Sequence, residues 1–106
     1  MVKEISAVEL QDRLKQTDAP VVLDVREGWE REVASLPGTL HIPINEVPAR
    51  LAELDPNQDM VVMCRSGGRS MQVARFLDAQ GFRSVANLTG GILAWSRDVD
   101  PSVQTY

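Results

Sequence analysis

The sequence is poor in the residues from which many functional sites are built. Among its 106 residues it has one cysteine, Cys64, and one histidine, His41. A single cysteine excludes an internal disulfide and a cysteine-rich zinc site, and a cysteine–histidine pair would have to use His41. No apolar run approaches the roughly 18 residues of a membrane span, and Met1–Ile5 do not form a signal-peptide core. These absences predict a cytoplasmic protein without a metal site.

The chain also lacks an excess of positive charge. It has 11 Lys and Arg against 15 Asp and Glu, which gives a net charge of −4. Nucleic acids and anionic membranes select basic surfaces, so neither is expected as a partner. The hydrophobic fraction of 43% is that of an ordinary globular protein, and the length fits one domain over residues 1–106.

Short apolar runs alternate with amphipathic segments, which predicts an α/β fold with a mainly parallel sheet. Ser6 and Glu9 have the spacing of a capping box, so a helix should begin near residue 7. The polar tail 99–106 is expected to wrap the surface. The predicted strands are 20–25, 39–42, 60–64 and 83–88, and the further predicted helices are 28–33, 45–54, 69–80 and 92–97.

The most informative segment is 64–70, with the sequence Cys-Arg-Ser-Gly-Gly-Arg-Ser. It lies between a predicted buried strand and a predicted helix. In open α/β sheets, ligands usually bind at this carboxyl end of the strands. Backbone N–H groups of such a loop, and the helix N-terminus behind it, favour a thiolate or a small anion at the centre.

Loop amides, the helix N-terminus and nearby arginine can together lower the pKa of the Cys64 thiol. Gly67 and Gly68 permit a positive φ that turns N–H groups inward. Arg69 can bring its guanidinium near the sulfur, and Arg65 can project toward an incoming anion. A lone cysteine after an apolar strand is more often a packing residue, but the complete loop favours a nucleophile.

Four segments carry a wider resemblance: 23–27 (Leu-Asp-Val-Arg-Glu), 36–43 (Leu-Pro-Gly-Thr-Leu-His-Ile-Pro), the loop at 64–69, and 90–95 (Gly-Gly-Ile-Leu-Ala-Trp). In this order they resemble the motifs of the rhodanese (thiosulfate sulfurtransferase) family in its short single-domain form. Four ordered motifs are a specific signal. The resemblance implies a rhodanese-like α/β fold, with a mainly parallel central sheet of about five strands and helices on both faces.

The resemblance also implies a sulfur relay. The Cys64 thiolate attacks the outer sulfur of thiosulfate or a similar donor, forms a persulfide and passes the sulfur to cyanide or a thiol. The amides of residues 65–69 would stabilise the anionic sulfur. The implied partners are a small sulfur-containing anion and a thiophilic acceptor, which can be a protein, and no cofactor is expected.

The roles of the neighbouring residues have alternatives. Arg69 supports the loop and its electrostatics, or is a solvent-facing helix residue. Arg65 binds the donor anion or is a surface arginine, and Ser66 donates a hydrogen bond to the persulfide or only occupies the turn. By resemblance, Asp24 helps order this end of the sheet through an arginine, and Arg26 is favoured for an ion pair over a substrate role.

Three residues are interpreted as structural. His41 lies where a family motif carries histidine, but the order of residues in 36–43 differs from that motif. We therefore interpret His41 as a strand-end residue and not as a general base. Trp29 and Trp95 are expected to pack in the core.

Two other classes of function compete with sulfur transfer by a free-standing enzyme. Cysteine phosphatases and arsenate reductases of related fold use a Cys-x5-Arg loop, whereas only four residues separate Cys64 from Arg69. The shorter loop favours transfer of sulfur over phosphate. A sulfur-carrier or regulatory rhodanese-like module acting with protein partners is the other alternative, although regulatory modules generally lack the cysteine.

Overall fold

The computed structural model describes residues 1–106 and has one sheet of five parallel strands, ordered β1-β5-β4-β2-β3. The central strand β4 is buried along its whole length. This architecture confirms the α/β class and the parallel five-stranded sheet. The strands are β1 (Lys3–Ile5), β2 (Val21–Asp24), β3 (Leu40–His41), β4 (Met60–Met63) and β5 (Val85–Leu88).

Three α helices and two 3-10 helices connect the strands, and a fourth α helix follows the last strand. Helix α1 begins at the predicted capping box, where Glu9 N–H donates to Ser6 Oγ (3.1 Å) and Ser6 N–H donates to the Glu9 carboxylate (3.0 Å). None of the helices has the length and apolar character needed to span a membrane. They are α1 (Ala7–Leu14), α2 (Gly28–Val33), α3 (Gly68–Ala79), α4 (Gly91–Asp98), and the 3-10 helices Ile44–Glu46 and Pro48–Glu53.

Side chains along β4 alternate between two hydrophobic clusters. Met60, Val62 and Cys64 lie in one cluster, with residues of α3. Val61 and Met63 lie in the other, with residues of α1 and α4. Because both faces of the strand are covered, its sequence is a continuous apolar run and not an alternating one. The expectation of helices on both faces is confirmed.

The predicted helix 45–54 is wrong in type. The segment forms two 3-10 helices, in which Val47 N–H donates to Ile44 O (3.3 Å) and Arg50 N–H donates to Val47 O (3.1 Å). Pro48 has no N–H to donate to Ile44 O, so an α helix cannot run through it. Arg50 also leaves the helical region, with φ −111° and ψ 17°.

Two other features differ from the sequence predictions. Strand β1 was not predicted, because Lys3 and Glu4 give this three-residue edge strand a polar sequence. Trp29, interpreted as a packing residue, is 60% exposed because α2 buries Glu30 instead, and its ring packs edge-on against that of Tyr106. Trp95 is buried, as expected.

Helix α4 begins in close contact with the end of β4. The N–H groups of Ile92 and Leu93 donate to Cys64 O (2.9 Å) and Arg65 O (3.2 Å). A Cβ atom on Gly91 would lie 2.4 Å from Arg65 O and 2.5 Å from Cys64 O, and its φ is +59°. The backbone of α4 therefore fixes the start of the segment 64–70, and only glycine fits at the contact.

Replacing Gly91 tests this contact. Gly91→Ala should lower the free energy of unfolding by about 2 kcal/mol or more, because the methyl group meets backbone atoms that cannot move aside and the residue holds a positive φ. Urea unfolding followed by circular dichroism measures the change. Gly28→Ala is the control, since a Cβ there has no atom within 4 Å. Equal losses in both variants would contradict the steric explanation.

Candidate active site

Residues 64–67 join β4 to α3 at the carboxyl end of the central strand, and residues 68–70 form the first turn of α3. Cys64 is only 1% exposed, whereas Arg65 and Ser66 lie at the surface. Gly67 has φ +110°, which brings its N–H toward the sulfur. Gly68 has no positive φ and begins α3, so the sequence expectation of a positive φ is wrong for Gly68.

Hydrogen-bond donors surround the sulfur of Cys64. Gly67 N–H lies 3.0 Å from Sγ, and the hydroxyl of Ser70 lies 3.3 Å from it. Burial alone raises the pKa of the Cys64 thiol. The hydroxyl and N–H of Ser70 and the N–H groups of Gly67 and Ser66 outweigh this effect, so the pKa falls below its ordinary value. The loop therefore favours the thiolate, which is the nucleophilic form.

Arg69 does not bond to the sulfur but forms a two-pronged ion pair with Glu30. Its Nη1 and Nη2 donate to the two carboxylate oxygens at 2.6 and 2.8 Å. The ion pair raises the pKa of Arg69, and the negative charge of Cys64 raises it further. The Arg69 hydrogen bond lowers the pKa of Glu30 from its usual 4.5 to about 2, despite burial. Arg69 thus lies close enough to Cys64 for their charges to interact, and Glu30 holds it in that position.

Asp24 and Arg26 form a fully buried ion pair at the end of β2. Nε of Arg26 donates to Oδ1 of Asp24 (3.0 Å) and Nη2 donates to Oδ2 (2.8 Å). Nη2 also donates to the carbonyl of Ala34 (2.9 Å), and Arg31 is a second cation on Asp24 at 3.3 Å. The guanidinium of Arg26 has no exposed surface, and its donors are used by these partners. Its position therefore suits an ion pair rather than contact with a substrate.

The tail follows the surface and ends at the loop. The hydroxyl of Tyr106 accepts a hydrogen bond from Arg26 (2.9 Å) and donates one to Glu30 (2.7 Å). Arg65 donates from Nε and Nη2 to the carbonyl oxygen of Tyr106, and its guanidinium lies 5.2 Å from the centre of the tyrosine ring. Arg65 therefore lies at the surface and holds the tail, a contact that the sequence did not predict.

Sequence reasoning missed Glu30, Ser70 and Tyr106. Ser70 is the last residue of the segment 64–70, which was a usable signal. Glu30 and Tyr106 are 39 and 41 positions from Arg69 and Arg65, which they contact. His41 ends β3, as interpreted, and its Nε2 lies 2.6 Å from the carbonyl oxygen of Arg26.

These features define an α/β protein with a cysteine in an amide-lined loop at the carboxyl edge of a parallel sheet. A family model described as a rhodanese-like domain matches residues 6–98. The chain therefore belongs to the rhodanese-like family.

Individual relatives agree with this assignment. The chain is 46% identical over 112 residues to "Rhodanese-like/PpiC domain-containing protein 12, chloroplastic" of Arabidopsis thaliana, covering 99% of this chain and 38% of that protein. It is 39% identical over 103 residues to a protein named "Sulfurtransferase" from Allochromatium vinosum, covering 97% of this chain and 96% of that one. The crystal structure of a rhodanese-like domain protein from Staphylococcus aureus superposes with a TM-score of 0.86 at 28% identity, covering 99% of both chains.

The Glu30–Arg69 pair predicts a pH dependence of stability. The folded pKa of Glu30 is depressed from 4.5 to about 2, so its contribution is complete above pH 4.5 and is lost as the pH falls toward 2. The difference in free energy of unfolding between wild type and Glu30→Gln should therefore shrink by up to about 3 kcal/mol on acidification. Urea unfolding at a series of pH values measures it.

Glu32→Gln is the matched control, because Glu32 is an exposed carboxylate on the same helix. Its unfolding free energy should follow that of wild type at every pH. If the difference in free energy of unfolding between wild type and Glu30→Gln were constant over the whole pH range, the ion pair would not lower the pKa of Glu30.

Proposed function

We propose that the protein transfers a sulfane sulfur from thiosulfate or a similar donor to a thiol, cyanide or protein acceptor, through a persulfide on Cys64. The observation that carries the proposal is the surroundings of Sγ, where the N–H of Gly67 and the hydroxyl of Ser70 meet a buried sulfur. A relative over nearly the whole chain is named a sulfurtransferase, which supports the same reaction.

In the first step, the Cys64 thiolate attacks the outer sulfur of thiosulfate. A new S–S bond forms, the S–S bond of thiosulfate breaks, and sulfite leaves with its electron pair. The negative charge now lies on the outer sulfur of the persulfide. N–H groups of the loop stabilise this charge, as oxyanion-hole amides do in acyl transfer.

In the second step, a thiophilic acceptor attacks the outer sulfur and Cys64 leaves as a thiolate. The donors that lower the pKa of Cys64 also make it a good leaving group. Cys64 is the only cysteine in the chain, so no second thiol within these residues can take the sulfur. The acceptor is therefore external. We place the reaction in the cytoplasm, where cellular thiols are kept reduced.

The state of Arg69 argues against a phosphatase. Phosphate recognition uses arginine as a fork that binds two oxygens of the anion. Here both terminal nitrogens of Arg69 already bind the carboxylate of Glu30. Together with the short spacing between Cys64 and Arg69, this pairing favours a ligand held by loop amides. Retention of the cysteine favours an active transferase over a purely regulatory module.

Persulfide formation is the direct test. Wild-type protein incubated with thiosulfate and then freed of the donor should gain one sulfur atom by intact mass, and cyanide should remove it. Cys64→Ser should gain none, since it lacks the nucleophile. An unmodified mass for wild type with a free thiol would contradict the mechanism, and so would faster hydrolysis of an aryl phosphate than consumption of thiosulfate.

Arg65 is the proposed contact for the donor anion. Arg65→Ala should raise the KM for thiosulfate about tenfold, since a hydrogen bond to a charged group is lost, while kcat changes little. Steady-state rates with cyanide as acceptor measure both constants. Arg97→Ala is the control, because Arg97 is an exposed arginine paired only with its neighbour Asp98. A fall in kcat at unchanged KM would remove Arg65 from donor binding.

A further inference from the structure

The hydroxyl of Ser70 lies between two atoms that can each accept its proton. Sγ of Cys64 is 3.3 Å from Ser70 Oγ, and Oδ1 of Asn87 is 2.5 Å from it. Ser70 and Asn87 are both buried, at 0% and 4% exposure. A serine hydroxyl carries one proton, so at any moment it donates either to the sulfur or to the amide oxygen.

The amide of Asn87 cannot turn around to remove this competition. Its Nδ2 donates to Glu4 Oε1 (3.0 Å) and to the carbonyl oxygen of Gly67 (3.2 Å). Both partners are acceptors, so a flipped amide would place its oxygen against two other oxygens. Thr89 also donates to Glu4 Oε1 (3.1 Å), which holds the carboxylate in place. Oδ1 of Asn87 is therefore kept facing Ser70.

The two protonation states of Cys64 use this arrangement differently. With a neutral thiol, the S–H donates to Ser70 Oγ and the Ser70 hydroxyl donates to Asn87, so every group has a partner. With a thiolate, the hydroxyl must turn to the sulfur. Oδ1 then has no donor and faces a second oxygen across a buried contact, which is costly. Asn87 thus disfavours the Cys64 thiolate, which the Ser70 hydroxyl stabilises.

We propose that Asn87 is a positioning residue that acts through the Ser70 hydroxyl to limit the thiolate fraction of Cys64. The role of this contact in sulfur transfer rests on the proposed function. During that reaction, the Ser70 hydroxyl changes its acceptor as the negative charge moves. It donates to Sγ while Sγ is the thiolate, and it returns to Asn87 when the charge moves to the outer sulfur of the persulfide. The network therefore favours the sulfur-loaded protein over the free thiolate.

Several charged groups lie on the elements around Cys64, and none of them is substituted in the variants compared below. Their effect on the titration of Cys64 is therefore common to every comparison, except for Glu4, which loses the hydrogen bond from Asn87 when Asn87 is replaced in either background. They are Arg69 of α3 with its partner Glu30 of α2, Arg65 of the loop, Asp24 and Arg26 at the end of β2, and Glu4 of β1 beyond Asn87.

A double-mutant cycle tests the proposal. The ultraviolet absorbance of the thiolate is titrated with pH, and the spectrum of Cys64→Ser is subtracted to remove the contribution of Tyr106. Ser70→Ala should move the midpoint to higher pH. Asn87→Leu should move it to lower pH and raise the ratio of thiolate to thiol at a fixed pH about fivefold, the equivalent of one hydrogen bond of about 1 kcal/mol.

The decisive comparison is Asn87→Leu in the Ser70→Ala background. Without the Ser70 hydroxyl, no proton is shared between Asn87 and the sulfur. Asn87→Leu should therefore leave the titration midpoint of Cys64 unchanged. An equal shift in both backgrounds would show that Asn87 acts on the loop as a whole, and no shift in either would also overturn the proposal. Asn87→Ala is measured in parallel, because it removes the same oxygen without adding volume.

The titration needs no sulfur donor, so it separates this proposal from the proposed function. If the cycle gives the expected shifts and thiosulfate fails to load Cys64, the control of the thiol by Asn87 stands and the sulfurtransferase proposal falls. If thiosulfate loads Cys64 and the cycle shows no coupling between Ser70 and Asn87, the reverse holds.

Discussion

The site depends on a chain of paired charges that crosses the carboxyl end of the sheet. Asp24 binds Arg26, the hydroxyl of Tyr106 bridges Arg26 to Glu30, and Glu30 binds Arg69. Asp24, Arg26 and Glu30 are buried, and a buried charge is tolerated only when it is paired. Each member therefore fixes the next, and the chain ties the end of β2 to α2, to the tail and to the helix behind the cysteine.

The parts of the fold that follow from local chemistry were predictable from the sequence. Buried parallel strands have continuous apolar runs, and the glycine-rich loop marks the turn after β4. The partners of the site arginines were not predictable, because their positions depend on how distant segments pack. Glu30 has no local signal for its pairing with Arg69, and the Ser70–Asn87 contact joins α3 to β5 across 17 positions. Pro48 did carry a local signal, and its missing N–H explains why the predicted helix there divides in two.

The pairing of charges also determines what attracts an anion to the site. Arg26 and Arg69 are neutralised by acidic side chains, and Asp24 is shared with Arg31. Arg65 bonds to a main-chain oxygen of Tyr106 and to no acidic side chain. Among the arginines described around the site, Arg65 is thus the one without an acidic side chain as its partner.

Arg65 is at the same time the group that holds the tail. Beyond α4 the chain is attached by few bonds, chiefly Ser96 Oγ to Val103 O (2.7 Å) and the contacts of Tyr106. Detachment of this segment would break the Tyr106 bridge between Arg26 and Glu30 and uncover the apolar contacts of Val99 and Val103, so it carries a free-energy cost while the strands stay paired. An anion that binds Arg65 must displace the main-chain oxygen of Tyr106. Anion binding and release of the tail therefore occur in the same exchange of hydrogen-bond partners. The frequency of that exchange sets an upper limit on the rate at which the arginine becomes available.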